Sequence, residues 1–339
     1  RSGVLDEECI NASVRRVLTV KFKRGLFENP YCDEGKVVVS MSNSEKQALS
    51  EEIAAKSLVL LKNDGVLPLK KGTKIALIGP HADSLRYPIS GYTYPAYLEM
   101  VKAGAGGDST GFNGLEDEQK KTERESKKNR GPFATIYELF NKEEKEAMND
   151  MPKILRDLGA RTLKEVLEER FEVLYTQGCS ITGKETDGFA EAVEISKDAD
   201  VIVMACGGNS GWVNVTGGEG KDRQYLDLPG VQQQLLEAVA ATGKPVVLIL
   251  YGPGVFAVNW ADKHCGAIIQ AFLPGPYAGK VIADALDGSL NPGGKLTMTV
   301  PRTTGQIPIY YNHRVGSGYN SGADAAASII FSGGYVDGP

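Results

Sequence analysis

The sequence predicts an α/β protein, a three-layer α/β/α sandwich around a mostly parallel sheet of about six strands. Three observations carry that expectation. With 339 residues, 42% of them hydrophobic, the chain can bury a sizeable core. Short runs rich in Val, Ile, Leu and Ala recur without polar alternation, as strands covered on both faces require. Helical patterns with one apolar stripe lie between several of these runs, and strand–helix alternation favours parallel pairing with helices on both faces.

Residues 6–24 read as an amphipathic helix. Ile10, Val14, Val17 and Leu18 fall on one stripe, Asp6 to Glu8 open it, and Lys21, Lys23 and Arg24 close it. That order complements the helix dipole, and Gly25 fits the position just past the end. A helix with a single apolar stripe needs a surface to pack on. The irregular Leu26-Phe27-Glu28-Asn29-Pro30-Tyr31 follows, so the helix is expected to belong to a preceding domain. Ser42-Asn43-Ser44-Glu45 has capping-box spacing, ahead of a helix whose apolar face is expected to include Ile53, Leu58 and Leu61. Strands are expected at 74–79, 171–175, 201–205, 246–251, 267–272 and 296–300, with helices through Val231-Leu235-Leu236-Val239 and at 281–286.

Residues 104–170 break the rhythm. The stretch 104–114 is glycine-rich, 116–130 is a nearly unbroken charge run, and 142–169 has helical patterns. Charge runs are usually solvated, so about 104–165 is read as an inserted surface excursion. Residues 316–334, rich in Gly, Ala and Ser, read as a flexible loop. The expected organisation is therefore 1–40 as the end of a preceding domain plus linker, 41–315 as the sandwich, and 316–339 as a loop leading to a further domain.

A net charge of −5 and a pI near 5.5 argue against nucleic acid as a partner, because phosphate binding needs a basic surface. No apolar run approaches the roughly 18 residues of a membrane span, so no membrane partner is expected. The five cysteines form no CxxC pair and are read as reduced, mostly buried thiols. The three histidines have no partner at helical spacing, so no metal site is expected. No cofactor is expected either: GxGxxG is absent from the strand–helix junctions, as are a P-loop and a GxSxG elbow.

In open parallel sheets ligands bind beyond the carboxyl ends of the strands. The strand at 201–205 is followed there by Cys206-Gly207-Gly208-Asn209-Ser210-Gly211-Trp212-Val213-Asn214-Val215-Thr216-Gly217-Gly218-Glu219-Gly220-Lys221-Asp222-Arg223, before Pro229 introduces the next helix. Loops of more than about 12 residues without structure of their own are often functional. Glu219 stands between two glycines, which frees its backbone and lets its carboxylate project. By itself GGEG also fits a glycine turn with a solvated glutamate. Asp222 and Arg223 fit a pair that shapes the loop better than direct catalysis.

The order of motifs is more specific than any one of them. Arg15-Arg16-Val17-Leu18 with the segment from Lys21 to Tyr31 resembles the end of the barrel domain and the linker of family 3 glycoside hydrolases. Ala54-Ala55-Lys56-Ser57-Leu58-Val59-Leu60-Leu61-Lys62-Asn63 with Leu67-Pro68-Leu69 is similar to that family's first sandwich helix and its exit. The resemblance continues through Ile78-Gly79-Pro80-His81-Ala82-Asp83 and Gly91-Tyr92-Thr93-Tyr94-Pro95-Ala96. It extends through Gly217-Gly218-Glu219-Gly220-Lys221-Asp222-Arg223, Leu226-Asp227-Leu228-Pro229-Gly230-Val231-Gln232, Thr242-Gly243-Lys244-Pro245-Val246-Val247-Leu248, Asn291-Pro292-Gly293-Gly294-Lys295-Leu296 and Gly305-Gln306-Ile307-Pro308-Ile309-Tyr310-Tyr311-Asn312. It covers nearly all of the chain except about 104–160 and 316–334.

The resemblance implies a retaining, exo-acting β-glycosidase, β-glucosidase first, acting on a β-linked glucoside or short oligosaccharide. β-Xylosidase or another family specificity is an alternative, and a non-catalytic carbohydrate-binding or assembly module is another. In the family an aspartate nucleophile lies on a barrel and the acid/base glutamate on a loop of the sandwich; the matching position here is Glu219. The barrel is expected on another chain or a segment outside this one, so the isolated chain is expected to be inactive. Trp212 fits a platform for a sugar ring and equally an anchor of the loop. Three departures bear on sugar preference and loop geometry. Gly217 stands where serine is common, Tyr251-Gly252-Pro253-Gly254 replaces an Asn-Gly-Arg-Pro type of turn, and Pro276 replaces a glutamate. Lys221 and Arg223 are expected to face away from Glu219.

Overall fold

The computed structural model describes residues 4–36, 43–105, 132–212, 215–219 and 221–309. The charge run at 116–130 and the Gly/Ala/Ser-rich 316–334 lie outside the described residues. The chain falls into two compact units, Arg1–Gln47 and Ala48–Pro339.

The first unit is built on helix α1 (Glu7–Lys23), close to the expected span. Asp6 caps it by accepting the Glu8 N–H at 3.1 Å. Gly25 closes it with φ of +66°, and Leu26 N–H returns to the Lys21 carbonyl at 3.1 Å. Within this unit the stripe of Ile10, Val14, Val17 and Leu18 is exposed, and no residue of the helix is buried.

Helix α2 (Ser44–Ser57) differs from expectation at both ends. Its cap is Asn43, whose side chain accepts the Lys46 N–H at 2.9 Å; Ser42 lies outside the described residues. It stops at Ser57, so Leu58 and Leu61 are not on a helical face, and Ile53 is exposed while Ala54 is buried. Val59–Asn63 is instead strand β1, antiparallel to the last strand. A short apolar run does not reveal by periodicity whether it is helix or strand, and here cross-strand pairing decides.

The sheet has six strands in the order β1-β6-β5-β4-β2-β3. β2 (Lys74–Ile78), β3 (Glu172–Thr176), β4 (Val201–Gly207), β5 (Val246–Tyr251) and β6 (Ala267–Phe272) run parallel. Only the edge strand β1 is reversed, so the mostly parallel six-stranded sheet stands. One expected member does not: 296–300 forms no strand, and Leu296 and Met298 on it are exposed. β1 takes the sixth place.

Every residue of β4 and β5 is buried. Alternate residues serve opposite layers, as strand geometry requires. Leu77, Val203, Val247, Ile249 and Ile269 share one cluster with Leu167 and Val281; Ile78, Ile202, Met204, Leu248 and Ile268 share another with Leu235 and Val239. The first layer of helices includes α7 (Leu163–Glu168) and α11 (Ala278–Asp287). The second includes α8 (Phe189–Lys197), α9 (Gln232–Ala240) and α10 (Asn259–His264). This is the three-layer sandwich. α3 (Tyr94–Ala105), α4 (Pro132–Leu139), α5 (Lys142–Asn149) and α6 (Met151–Asp157) lie between β2 and β3 in the chain, and Met148 and Leu155 on them are buried. Among the described residues no helix is long and apolar enough to cross a membrane.

Candidate active site

β4 delivers the chain to the carboxyl edge of the sheet at Gly207, where φ is +133° and a Cβ would collide with the Tyr251 backbone on β5. Only glycine fits there. The loop that follows is fastened at its root by buried polar groups. Gln232, fully buried at the start of α9, accepts the Gly207 N–H at 2.7 Å and donates to the carbonyls of Gly207 (2.8 Å) and Ile181 (2.9 Å). One amide side chain thereby satisfies three main-chain groups that cannot reach water.

His81, on the turn after β2, is buried and holds the next residue: its Nε2 lies 2.9 Å from the Gly208 carbonyl. A carbonyl only accepts, so Nε2 carries the proton and the ring is the neutral Nε2–H tautomer. The ring stacks on Tyr251 at the end of β5, centroids 4.8 Å apart and 12° between planes. Burial pushes its pKa down to about 4, against the smaller opposite pull of the Gly208 and Ala205 carbonyls. Nδ1 makes no hydrogen bond. Beyond Gly208 the loop is pinched shut: Thr216 N–H donates to the Asn209 carbonyl at 3.0 Å, and Asn209 N–H to Thr216 Oγ1 at 2.9 Å. Nearby, Phe272 ends β6 in the left-handed region, φ +56°, where its carbonyl accepts Gly252 N–H at 2.9 Å. Backbone strain of this kind concentrates at functional edges.

Glu219 sits at the tip of a second, tighter turn, closed by Lys221 N–H to the Gly218 carbonyl at 3.2 Å. Gly218 has φ of +135°, which a side-chain-bearing residue rarely adopts. Glu219 is exposed, and the Tyr92 hydroxyl donates a hydrogen bond to its Oε2. Trp212 is half-buried; its Nε1 donates to the Gly91 carbonyl at 3.2 Å, and its ring meets Tyr92 edge-on, centroids 6.2 Å apart at 73°. Trp212 thus ties the loop after β4 to the loop after β2. Arg86 does the same from below, donating to Ser210 O (3.3 Å) and Ile89 O (2.8 Å) while its Nη2 meets Glu99 at 2.8 Å.

Asp222 and Arg223 do not pair with each other among the described residues. Asp222 is exposed, whereas the half-buried Arg223 guanidinium lies over the Phe256 ring, 4.9 Å from its centroid. That contact turns Arg223 into the loop's underside, and burial lowers its pKa. The structure therefore brings Glu219 and Trp212 together around Tyr92, and sends Arg223 inward.

Four residues of this arrangement had no role in the sequence reading: Tyr92, His81, Arg86 and Gln232. Tyr92, His81 and Gln232 stand inside motifs that carried the resemblance, but the partners of Tyr92 and His81 are 127 residues away in the chain and Gly207 is 25 from Gln232. Of the thiols, Cys179, Cys206 and Cys265 are buried and Cys9 and Cys32 exposed. Among the described residues no cluster of three metal-binding side chains occurs.

Fold and site together define an α/β-sandwich domain that presents a carboxylate on a glycine turn at the carboxyl edge of its sheet. Residues 58–336 match the model of the glycosyl hydrolase family 3 C-terminal domain. The chain belongs to glycosyl hydrolase family 3, as its motifs led us to expect. It is similar to a β-xylosidase of Formosa agariphila, 31% identical over 91% of this chain and 36% of the relative. It is also similar to the periplasmic β-glucosidase of Salmonella typhimurium, 31% identical over 94% of this chain and 38% of the relative. Among solved structures, a β-glucosidase from Listeria innocua in complex with gluconolactone superposes with a TM-score of 0.70 at 28% identity. That match covers 99% of this chain and 38% of the Listeria chain. The chain thus spans little more than a third of the length of these relatives.

Proposed function

We propose that this chain supplies the acid/base domain of a retaining, exo-acting β-glycosidase, with Glu219 as the acid/base. The observation that carries the reading is the placement of that carboxylate: exposed, at the tip of the Gly218–Lys221 turn, on the loop leaving the buried strand β4. Retaining hydrolysis uses two carboxyl groups roughly 5–5.5 Å apart. One attacks the anomeric carbon and expels the leaving group; the other protonates the departing oxygen, then takes a proton from the water that frees the sugar. A projecting carboxylate on a loop suits an acid/base that meets a nucleophile held elsewhere. The nucleophile is assigned to a barrel domain on another chain or another segment, so residues 1–339 alone are expected to leave an aryl β-glucoside intact.

β-Glucosides are the first substrates to try, supported by the similarity to the Salmonella and Listeria β-glucosidases. β-Xylosides are second, on the similarity to the Formosa β-xylosidase. The test is Glu219→Ala in protein that carries the barrel as well. Turnover of a poorly activated aryl glycoside should fall by about 10²–10⁴-fold, the usual share of general acid–base catalysis. Azide should partly restore turnover of an activated one and yield a glycosyl azide of retained configuration. Unchanged kinetics would remove Glu219 from the role, and an assembled protein that binds sugars without cleaving any would identify a carbohydrate-binding module instead.

A further inference from the structure

We infer that Tyr92 is a positioning residue for Glu219, a reading that rests on the acid/base role proposed above. Glu219 lies on the tip of a turn that Gly218, at positive φ, opens and that the bond from Lys221 N–H to the Gly218 carbonyl closes. Among the described residues, the Tyr92 hydroxyl is the side-chain group hydrogen-bonded to the carboxylate, at Oε2. Tyr92 is itself well braced although 75% exposed. Its ring receives the edge of Trp212, the Trp212 indole donates to Gly91 beside it, and Arg86 joins both loops through Ser210 and Ile89. A Cβ on Gly91 would stand 3.1 Å from Gly211 Cα, so the two loops already touch main chain to main chain. The phenol is thus held on the same frame as the loop that it steadies.

The hydrogen bond suits both halves of the reaction. An acid/base carboxyl exchanges a proton at one oxygen only. A donor fixed on Oε2 leaves Oε1 to give its proton to the leaving oxygen and later to take one from water. Tyr92 keeps its own proton throughout, and the bond persists whether Oε1 is protonated or bare. Without it, the carboxyl samples rotamers that turn Oε1 away from the leaving group, and the proton transfer suffers while sugar binding does not.

The test is a leaving-group series of aryl β-glucosides, from dinitrophenyl to phenyl, assayed as kcat/KM with the barrel-containing protein. Four proteins are compared: the parent, Glu219→Ala, Tyr92→Phe and the double variant. Phenylalanine keeps the ring against Trp212 and removes only an exposed hydroxyl, so folding is retained. Tyr92→Phe should lose about tenfold on the phenyl glucoside, the worth of one hydrogen bond, and stay within about twofold on the dinitrophenyl glucoside. In the Glu219→Ala background the same substitution should change nothing further. A uniform loss across the series, or a parent-like slope in Tyr92→Phe beside a steep one in Glu219→Ala, overturns the Tyr92 assignment alone. A parent-like slope in Glu219→Ala overturns the acid/base reading and the Tyr92 assignment with it.

Discussion

One buried imidazole, His81, should make a separable contribution to the loosening of this fold by acid. The ring is buried, donates from Nε2 to the Gly208 carbonyl and has its pKa pushed down to about 4 from an ordinary 6.5. Above about pH 7 the folded and unfolded chains both hold it neutral, and the contribution is fully present. As pH falls through 6.5 the unfolded chain takes up a proton that the folded chain refuses until about pH 4, so stability declines over that window and levels off below it. At about 1.4 kcal/mol per pKa unit the full loss is about 3 kcal/mol, and about 2 kcal/mol of it is already spent at pH 5. The comparison that isolates it is urea unfolding of the parent and His81→Gln at pH 7.5, 6.5, 5.5 and 5 (our chosen points, spanning about the window in which a histidine titrates). Glutamine can still donate to Gly208 but does not titrate. It should be the less stable protein at pH 7.5 and should recover about 2 kcal/mol relative to the parent by pH 5. Carboxylates and the other histidines are common to both proteins and cancel. Parallel pH curves for the two would refute the burial of a neutral His81 under the loop.

Other perturbations sort by depth. Gln232→Leu keeps the volume but orphans Gly207 N–H and two buried carbonyls, so it should cost on the order of 2–4 kcal/mol in a denaturant titration. Gly207→Ala combines a forbidden φ with a collision against Tyr251 and should cost on the order of 3 kcal/mol or more by the same assay. Thiol titration at pH 8 (our chosen condition, just under a free thiol's usual value of about 8.5) should find Cys9 and Cys32 reacting at once. Cys179 and Cys265, raised by burial to about 11 and about 12, and Cys206, raised well above its ordinary value by burial, should react only after unfolding.

The sandwich was legible because its central strands β4 and β5 are unbroken apolar runs and β2 and β6 are nearly so, a pattern that burial on both faces imposes. The two errors share a cause. Residues 58–63 and 296–300 are both short stretches with strand-like apolar residues, for which pairing decides structure and local pattern does not. β6 recruits the first by antiparallel pairing and leaves the second at the surface. Glu219 was singled out by its place on the loop after β4 and by the order of motifs around it, since its glycines alone also fit a solvated turn. Its surroundings were not: Tyr92, His81 and Arg86 come from the loop after β2, and no spacing rule joins residues more than 120 positions apart. Arg223 was readable as a loop-shaping residue but not its means, which is the face of Phe256 rather than the neighbouring Asp222.

The loop is fastened in a graded way, and the grading separates stability from rate. Its root is bonded to buried Gln232 at Gly207 and buried His81 at Gly208, with the part-buried Asn209–Thr216 pair above them. Breaking any of these leaves a main-chain dipole stranded in the core, so the effect falls on folding. The tip depends on an exposed tyrosine and on the turn that Gly218 opens, and breaking those exposes nothing new to an apolar interior. A carboxylate placed this way has its height above the sheet set by the core and its final orientation set at the surface. Substitutions at Gln232 or His81 should therefore shift unfolding midpoints first. Those at Tyr92 should shift the leaving-group slope with the midpoint unmoved, and a Tyr92 variant that altered both together would show that tip and root are one structural unit.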